Sequence, residues 1–136
     1  MNAFRTQVHV EIVPVRWGDL DALGHVNNTL YFRYMEQARI AWLASHGYRL
    51  DPSTEIEGPV IVNAQCTFRR PILYPATVEV RLALDTPGRS SVETRYALSV
   101  NGEEYADGSA KMVWVDYRSG KSIPLPEALR PQPEGG

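Results

Sequence analysis

Residues 15–43 read Val15-Arg16-Trp17-Gly18-Asp19-Leu20-Asp21-Ala22-Leu23-Gly24-His25-Val26-Asn27-Asn28-Thr29-Leu30-Tyr31-Phe32-Arg33-Tyr34-Met35-Glu36-Gln37-Ala38-Arg39-Ile40-Ala41-Trp42-Leu43. They pass from a strand end through a polar loop into a long helix. Leu30, Tyr34, Ala38 and Ala41 follow one helical track, with Tyr31, Met35 and Trp42 beside it, so one face is apolar. Asn27 or Asn28 can cap the start, and Gly47 after His46 suits a left-handed stop. The helix is expected from Thr29 to about Ser45, ~25 Å at ~1.5 Å per residue. Its free N–H groups and positive end point back into a loop holding Asp19, Asp21, Gly24 and His25, a place to receive a developing oxyanion.

Working outward, the 136 residues are enough for one domain spanning 1–136 with its own core. A formal net charge of -2 supplies no basic field, which argues against nucleic acid or an anionic membrane as partner. Cys66 is the one cysteine, so no intramolecular disulfide can form. The first residues lack the apolar core of a signal peptide, and no run reaches membrane-spanning length. A cytoplasmic protein is expected.

Upstream of the loop, apolar Val8, Val10 and Ile12 alternate with His9 and Glu11, marking a half-buried strand that ends near Arg16. Downstream, residues 46–58 form a polar connection with room for a short turn or a lid. From Pro59 the pattern is all strand. Val60, Val62, Ala64, Cys66 and Phe68 face one way, and Tyr74-Pro75-Ala76 then turns the chain into Val78, Val80, Leu82 and Leu84. Thr86-Pro87-Gly88 turns it again, as in a hairpin, toward Val92, Thr94, Tyr96, Leu98 and Val100. Asn101-Gly102 is the strongest short hairpin signal, because both residues tolerate positive φ. In the last strand Ala106, Gly108 and Ala110 share a face with Met112 and Trp114, and the small ones would let the long helix lie close. A helical turn is expected near Pro126–Leu129, with a frayed end from Pro131. The order of strand, helix and four strands predicts an α+β fold, a five-stranded antiparallel sheet wrapped around one long central helix. Its open edges predict a homo-oligomer.

Asp21 is the leading candidate for chemistry. A carboxylate beside a helix N-terminus can attack a carbonyl or take a proton from water while the N–H groups receive the negative oxygen, enough to split an activated ester. The plainer reading makes Asp19 and Asp21 turn and capping residues. His25 is either a general acid or base or a structural hydrogen-bonding residue. Asp19, Asp21 and His25 form a passable ligand set, but no second histidine or cysteine stands close by, so no metal is expected. Cys66 reads as core. Glu36 and Arg39 read as an ion pair, or Glu36 orients the site from across a dimer. Arg69 and Arg70 end a strand, solvated or holding phosphate.

Gly18-Asp19-Leu20-Asp21, Gly24-His25-Val26-Asn27-Asn28, Tyr31 and Tyr34-Met35-Glu36 resemble the hot-dog-fold acyl-CoA thioesterases, and most of all their hydroxybenzoyl-CoA thioesterase branch. Phe68-Arg69-Arg70-Pro71 and Ile123-Pro124-Leu125-Pro126 look similar too. The resemblance implies hydrolysis of an acyl-CoA or acyl carrier protein thioester without metal or organic cofactor. It implies Asp21 as nucleophile or general base and the N–H near Asn28 as oxyanion site. It also implies a homodimer or homotetramer that brings a second subunit into the site. His25 and Glu36 join the candidate catalytic set, and Asp19, Tyr31, Arg69 and Arg70 the substrate contacts. Plant-type acyl carrier protein thioesterases resemble the loop as well, although Leu23 stands where they carry an asparagine. Two other readings of the fold are a non-catalytic acyl-thioester-binding protein and an acyl-thioester hydratase or dehydratase.

Overall fold

A computed structural model describes residues 6–51 and 53–132. Strand β1 (Thr6–Pro14) leads through a 3-10 turn (Trp17–Asp19) into helix α1 (Asn28–Ser45). Strands β2 (Glu57–Phe68), β3 (Thr77–Pro87), β4 (Ser91–Val100) and β5 (Glu103–Asp116) follow, and a 3-10 turn (Glu127–Leu129) closes the chain. The strands form one antiparallel sheet in the order β1-β3-β4-β5-β2 with α1 against one face, the hot-dog arrangement expected. No helix among the described residues is long and apolar enough to cross a membrane.

Local chemistry sets the helix ends. The Asn27 side chain accepts the Thr29 N–H at 2.9 Å, making Asn27 the cap, and Gly47 takes φ +89° just past the other end. The buried face lies one step round from the expected track. Tyr31, Tyr34, Met35, Ala38, Trp42 and Leu43 are buried, while Leu30 and Ala41 are only partly so. The larger side chains reach further into the sheet's concavity and set the helix rotation. Residues 46–58 carry a turn of their own, with the Glu55 N–H on the Asp51 carbonyl at 2.7 Å.

The sheet departs from the sequence reading in three places. In β1 a bulge between Gln7 and His9 adds one residue and reverses the alternation. His9, Glu11 and Val13 therefore lie opposite the inward Leu82, Val80 and Val78, leaving Val10 and Ile12 exposed. His9 and Glu11 satisfy each other at 2.7 Å. The second departure is topological. β3 and β4 pair as a hairpin, but β2 pairs with β5, so residues 69–76 carry the chain across the sheet rather than around a tight turn. β2 is consequently an edge, beginning two residues earlier than expected and exposing Val60, Ile61 and Val62. The third departure is a bulge in β2 between Ile61 and Asn63, which puts Ile61, and not Val60 or Val62, on the face of Ala64, Cys66 and Phe68.

β4 and β5 match the expected pattern. β4 buries every second residue, and Asn101 and Gly102 take φ 52° and 82° in the turn that follows. Thr94, the buried polar residue on that face, donates to the Ala110 carbonyl at 2.8 Å and meets the Tyr96 hydroxyl at 2.7 Å. Gly108 lets the helix approach, since a Cβ there would stand 2.6 Å from Met35 Sδ and 2.7 Å from the Gln65 carbonyl oxygen. The thioether can swing aside; the backbone oxygen cannot. Gly108→Ala is therefore expected to destabilise the protein by about 1–3 kcal/mol, the usual cost of overpacking. Urea denaturation measures this, and an unchanged midpoint would contradict the close approach.

Candidate active site

The loop before α1 is built from hydrogen bonds that leave two groups free. The Arg16 N–H donates to Asp19 Oδ2 at 3.0 Å and the Asn27 N–H to the Asp19 carbonyl at 2.9 Å, while Leu20 and Val26 form an antiparallel bridge. Beyond that bridge the chain reverses over Asp21–His25. The Asp21 N–H meets the His25 carbonyl at 2.8 Å, the Gly24 N–H meets the Asp21 carbonyl at 3.1 Å, and Gly24 takes φ +81°. Asp21 Oδ1 accepts the N–H groups of Leu23 at 2.9 Å and His25 at 3.4 Å. Oδ2 has no partner among the described residues. At the helix start, Asn27 takes the Thr29 and Leu30 N–H groups, and the Asn28 N–H has no acceptor among the described residues.

A second segment closes the site. The Val26 N–H donates to the Ile72 carbonyl at 2.8 Å, tying the loop to the crossover after β2. Tyr31 braces the same crossover, its hydroxyl accepting the Ile72 N–H at 3.2 Å and donating to the Arg70 carbonyl at 3.4 Å. Burial raises the Tyr31 phenol above its ordinary value. Between loop and crossover lies a cleft of about 360 Å³ that brings together Asp21, His25, Asn28, Tyr31, Arg69 and Arg70. Phe68 joins them, its ring edge-on to Tyr31 at 4.9 Å, a contact that reading it as one more strand residue missed. Its place beside Arg69 and Arg70 was the available signal.

Asp19 and Glu36 are not part of this cleft. Asp19 is buried, and its Oδ2 accepts the Tyr34 hydroxyl at 2.7 Å as well as the Arg16 N–H, so its carboxylate holds the loop to the helix instead of lining this cleft. With Asp19 turned inward, Asp19, Asp21 and His25 do not converge as ligands. Glu36 pairs with Arg33 at 3.4 Å on an exposed part of the helix, so the expected ion pair with Arg39 is absent. Arg39 instead donates to the Tyr96 hydroxyl across the helix–sheet groove at 2.9 Å.

The two cleft arginines are already engaged. Arg69 Nε lies 2.7 Å from Asp107 Oδ2, and Arg70 pairs with Glu103 while its guanidinium sits 5.2 Å over the Tyr105 ring. Both are half exposed, so these pairs are weak and exchangeable. Cys66 is half buried, and burial, with Asp107 nearby, pushes its thiol up to about 11, the wrong direction for a nucleophile.

The chain matches the family model of the thioesterase-like superfamily over residues 15–132. It is 26% identical to the long-chain acyl-CoA thioesterase FadM of Escherichia coli K12, with 87% of this chain and 91% of that protein covered. The structure of the PA2801 protein of Pseudomonas aeruginosa superposes with a TM-score of 0.85 at 40% identity, covering 90% of this chain and 95% of that one. The structure of BH1999 gentisyl-coenzyme A thioesterase gives a TM-score of 0.80 at 26% identity, covering 88% and 98%.

The Tyr34–Asp19 bond makes the loop sensitive to alkali. Burial, followed by the Asp19 hydrogen bond and charge, raises the Tyr34 phenol well above its ordinary 10.0. As pH rises through that ordinary value the unfolded chain loses the proton first, so the stability that Tyr34 contributes is full below about 10 and declines above it. Tyr34→Phe is expected to cost about 1–3 kcal/mol at neutral pH by leaving Asp19 short of a donor. In denaturant melts, the gap between the two proteins should narrow above pH 10; a gap independent of pH would contradict the assignment.

Proposed function

The chain belongs to the thioesterase-like superfamily and is a thioester hydrolase; from that premise we propose that it cleaves acyl-CoA thioesters with Asp21 as its reacting carboxylate. The observation that carries this reading is that two unpaired groups of opposite character, Asp21 Oδ2 and the Asn28 N–H, line one cleft. The thioester carbonyl oxygen lies against the Asn28 N–H, whose position at the positive end of α1 favours the charge that develops there. Asp21 either accepts a proton from the attacking water or adds to the carbonyl itself. Collapse of the tetrahedral intermediate breaks the carbon–sulfur bond, and the departing thiolate takes up a proton, for which the His25 imidazole on the same cleft is the available carrier. Where Asp21 itself adds, the product of this collapse is an Asp21 acyl anhydride that water then hydrolyses, restoring the carboxylate; by either route the products are a free acid and a thiol.

Coenzyme A is the favoured carrier, because FadM and BH1999 are both named as coenzyme A thioesterases. Arg69 and Arg70 stand at the cleft mouth, where phosphate oxygens can replace their carboxylate partners. The reading also takes the protein as a cytoplasmic homodimer or homotetramer. β2 offers an unpaired edge with exposed Val60, Ile61 and Val62, and a second copy laid along it would continue the sheet and bring further side chains, Glu36 among them, to the neighbouring site.

Asp21→Asn keeps an acceptor for the Leu23 N–H but removes the charge. With a panel of acyl-CoAs monitored for released thiol, kcat should fall by about 10²–10⁴-fold while the circular dichroism spectrum is retained. Undiminished turnover would rule Asp21 out, and turnover of acyl carrier protein thioesters alone would change the carrier. A burst of product in rapid-quench experiments separates attack by Asp21 from general-base catalysis. Val62→Lys should shift the solution mass toward the monomer in sedimentation experiments; an unchanged mass would move the interface elsewhere.

A further inference from the structure

A groove of about 410 Å³ runs between α1 and strands β2 and β5, lined on the helix by Leu30, Phe32 and Met35 and on the sheet by Ile61, Ala64 and Ala110. It neighbours the candidate cleft along both α1 and β2. Asn28 lines the cleft and Thr29 the groove, while on β2 Phe68 lines the cleft and Ala64 the groove, so helix and strand both lead away from the candidate oxyanion site. Into this largely apolar space projects the half-buried Arg39, its Nη1 donating to the Tyr96 hydroxyl. Thr94 braces that hydroxyl from the sheet at 2.7 Å. Arg39 forms no ion pair among the described residues, because Glu36, the acid on the same groove, is taken by Arg33. The Tyr96 hydroxyl lies against Thr94, whose partner across the sheet is the groove residue Ala110, so the guanidinium stands near the level of Ala110, further from Asn28 than Met35 is.

Resting on the thioesterase reading above, we propose that this groove receives the acyl group and that Arg39 is a specificity-determining residue for acyl groups ending in a carboxylate. An acyl chain filling the groove expels the water that solvates Arg39, and a cation so desolvated needs an anionic partner. A methyl end leaves it without one. A carboxylate end meets the remaining guanidinium N–H groups in a charge-assisted pair, with Tyr96 holding the guanidinium in place. Tyr96 acts through Arg39 and is a positioning residue.

The test compares kcat/KM for octanedioyl-CoA and octanoyl-CoA. The wild-type enzyme should favour octanedioyl-CoA by 10-fold or more, since a charged hydrogen bond is worth about 1.5–3 kcal/mol. Arg39→Met should abolish the preference, raising KM for octanedioyl-CoA and lowering it for octanoyl-CoA, whose methyl end no longer desolvates an unpaired cation. Arg39→Lys should retain part of the preference, and Tyr96→Phe, with the cation kept but no longer aimed, should show an intermediate ratio. A purely structural Arg39 would lower both substrates together, leaving the ratio unchanged, and would overturn the proposal. So would a wild-type enzyme that prefers octanoyl-CoA. Failure of the underlying reading looks different: no acyl-CoA is hydrolysed, or Asp21→Asn retains full activity on both substrates.

Discussion

The carboxylate of Asp19 is the constraint on which the site depends. It is almost wholly enclosed and takes hydrogen bonds from the Arg16 backbone and the Tyr34 hydroxyl, while its own carbonyl accepts the Asn27 N–H. Those contacts hold the strand exit, the first turns of the helix and the cap residue in one arrangement. With the frame fixed, Asp21, on the far side of the Leu20–Val26 bridge, lines the cleft. The Asp-x-Asp pair thus divides its labour by burial. The inner acid trades its solvation for protein donors, and the outer one keeps an oxygen free at a half-exposed surface.

Leaving Asp21 Oδ2 and the Asn28 N–H without protein partners is tolerable because both border an open cleft, where water can satisfy them. On the function proposed above, a substrate that displaces this water meets both groups at once. The donor needs no reorganisation, since Asn27 as cap already occupies the Thr29 and Leu30 N–H groups and fixes the direction of the first helical turn. The Tyr31 hydroxyl and the Val26–Ile72 bond do the same for the opposite wall, so the cleft is held from two sides by bonds that none of its exposed polar groups has to make.

Much of this was legible in the sequence, and what was not has physical causes. The extent of helix α1, the alternation of β4 and the Asn101-Gly102 turn are local matters, decided by apolar period, capping and permitted φ, and they stand as read, whereas the rotation of α1 was set by packing against the sheet. Gly108 was legible as a point of close approach because only glycine leaves that space. The β1 bulge was not: a single added residue reverses which parity faces inward, and Val8, Val10 and Ile12 carry no mark of it. Nor was the pairing of β2 with β5, since a strand's partner is chosen by the whole sheet. Charged side chains are the hardest to assign. Asp19 and Asp21 are alike in kind and two apart, and only the position of Tyr34, fifteen residues on, decides which is sequestered.

The same logic separates Arg33 from Arg39. Both stand three residues from Glu36, and helical spacing alone favours neither as its partner. Arg33 and Glu36 are exposed and pair in the solvent. Arg39 sits where the helix turns toward the sheet, and the Tyr96 hydroxyl captures it first. That hydroxyl is available because the β4 alternation buries Tyr96 beside Thr94, and its phenol is held above its ordinary value chiefly by burial, so it stays a neutral acceptor for the guanidinium. The helix therefore presents an amide where it begins and a cation further along, with apolar lining between them. An acyl thioester has the corresponding order, a polar carbonyl followed by an apolar stretch, and what it carries at its far end determines whether the cation gains a partner or only loses water.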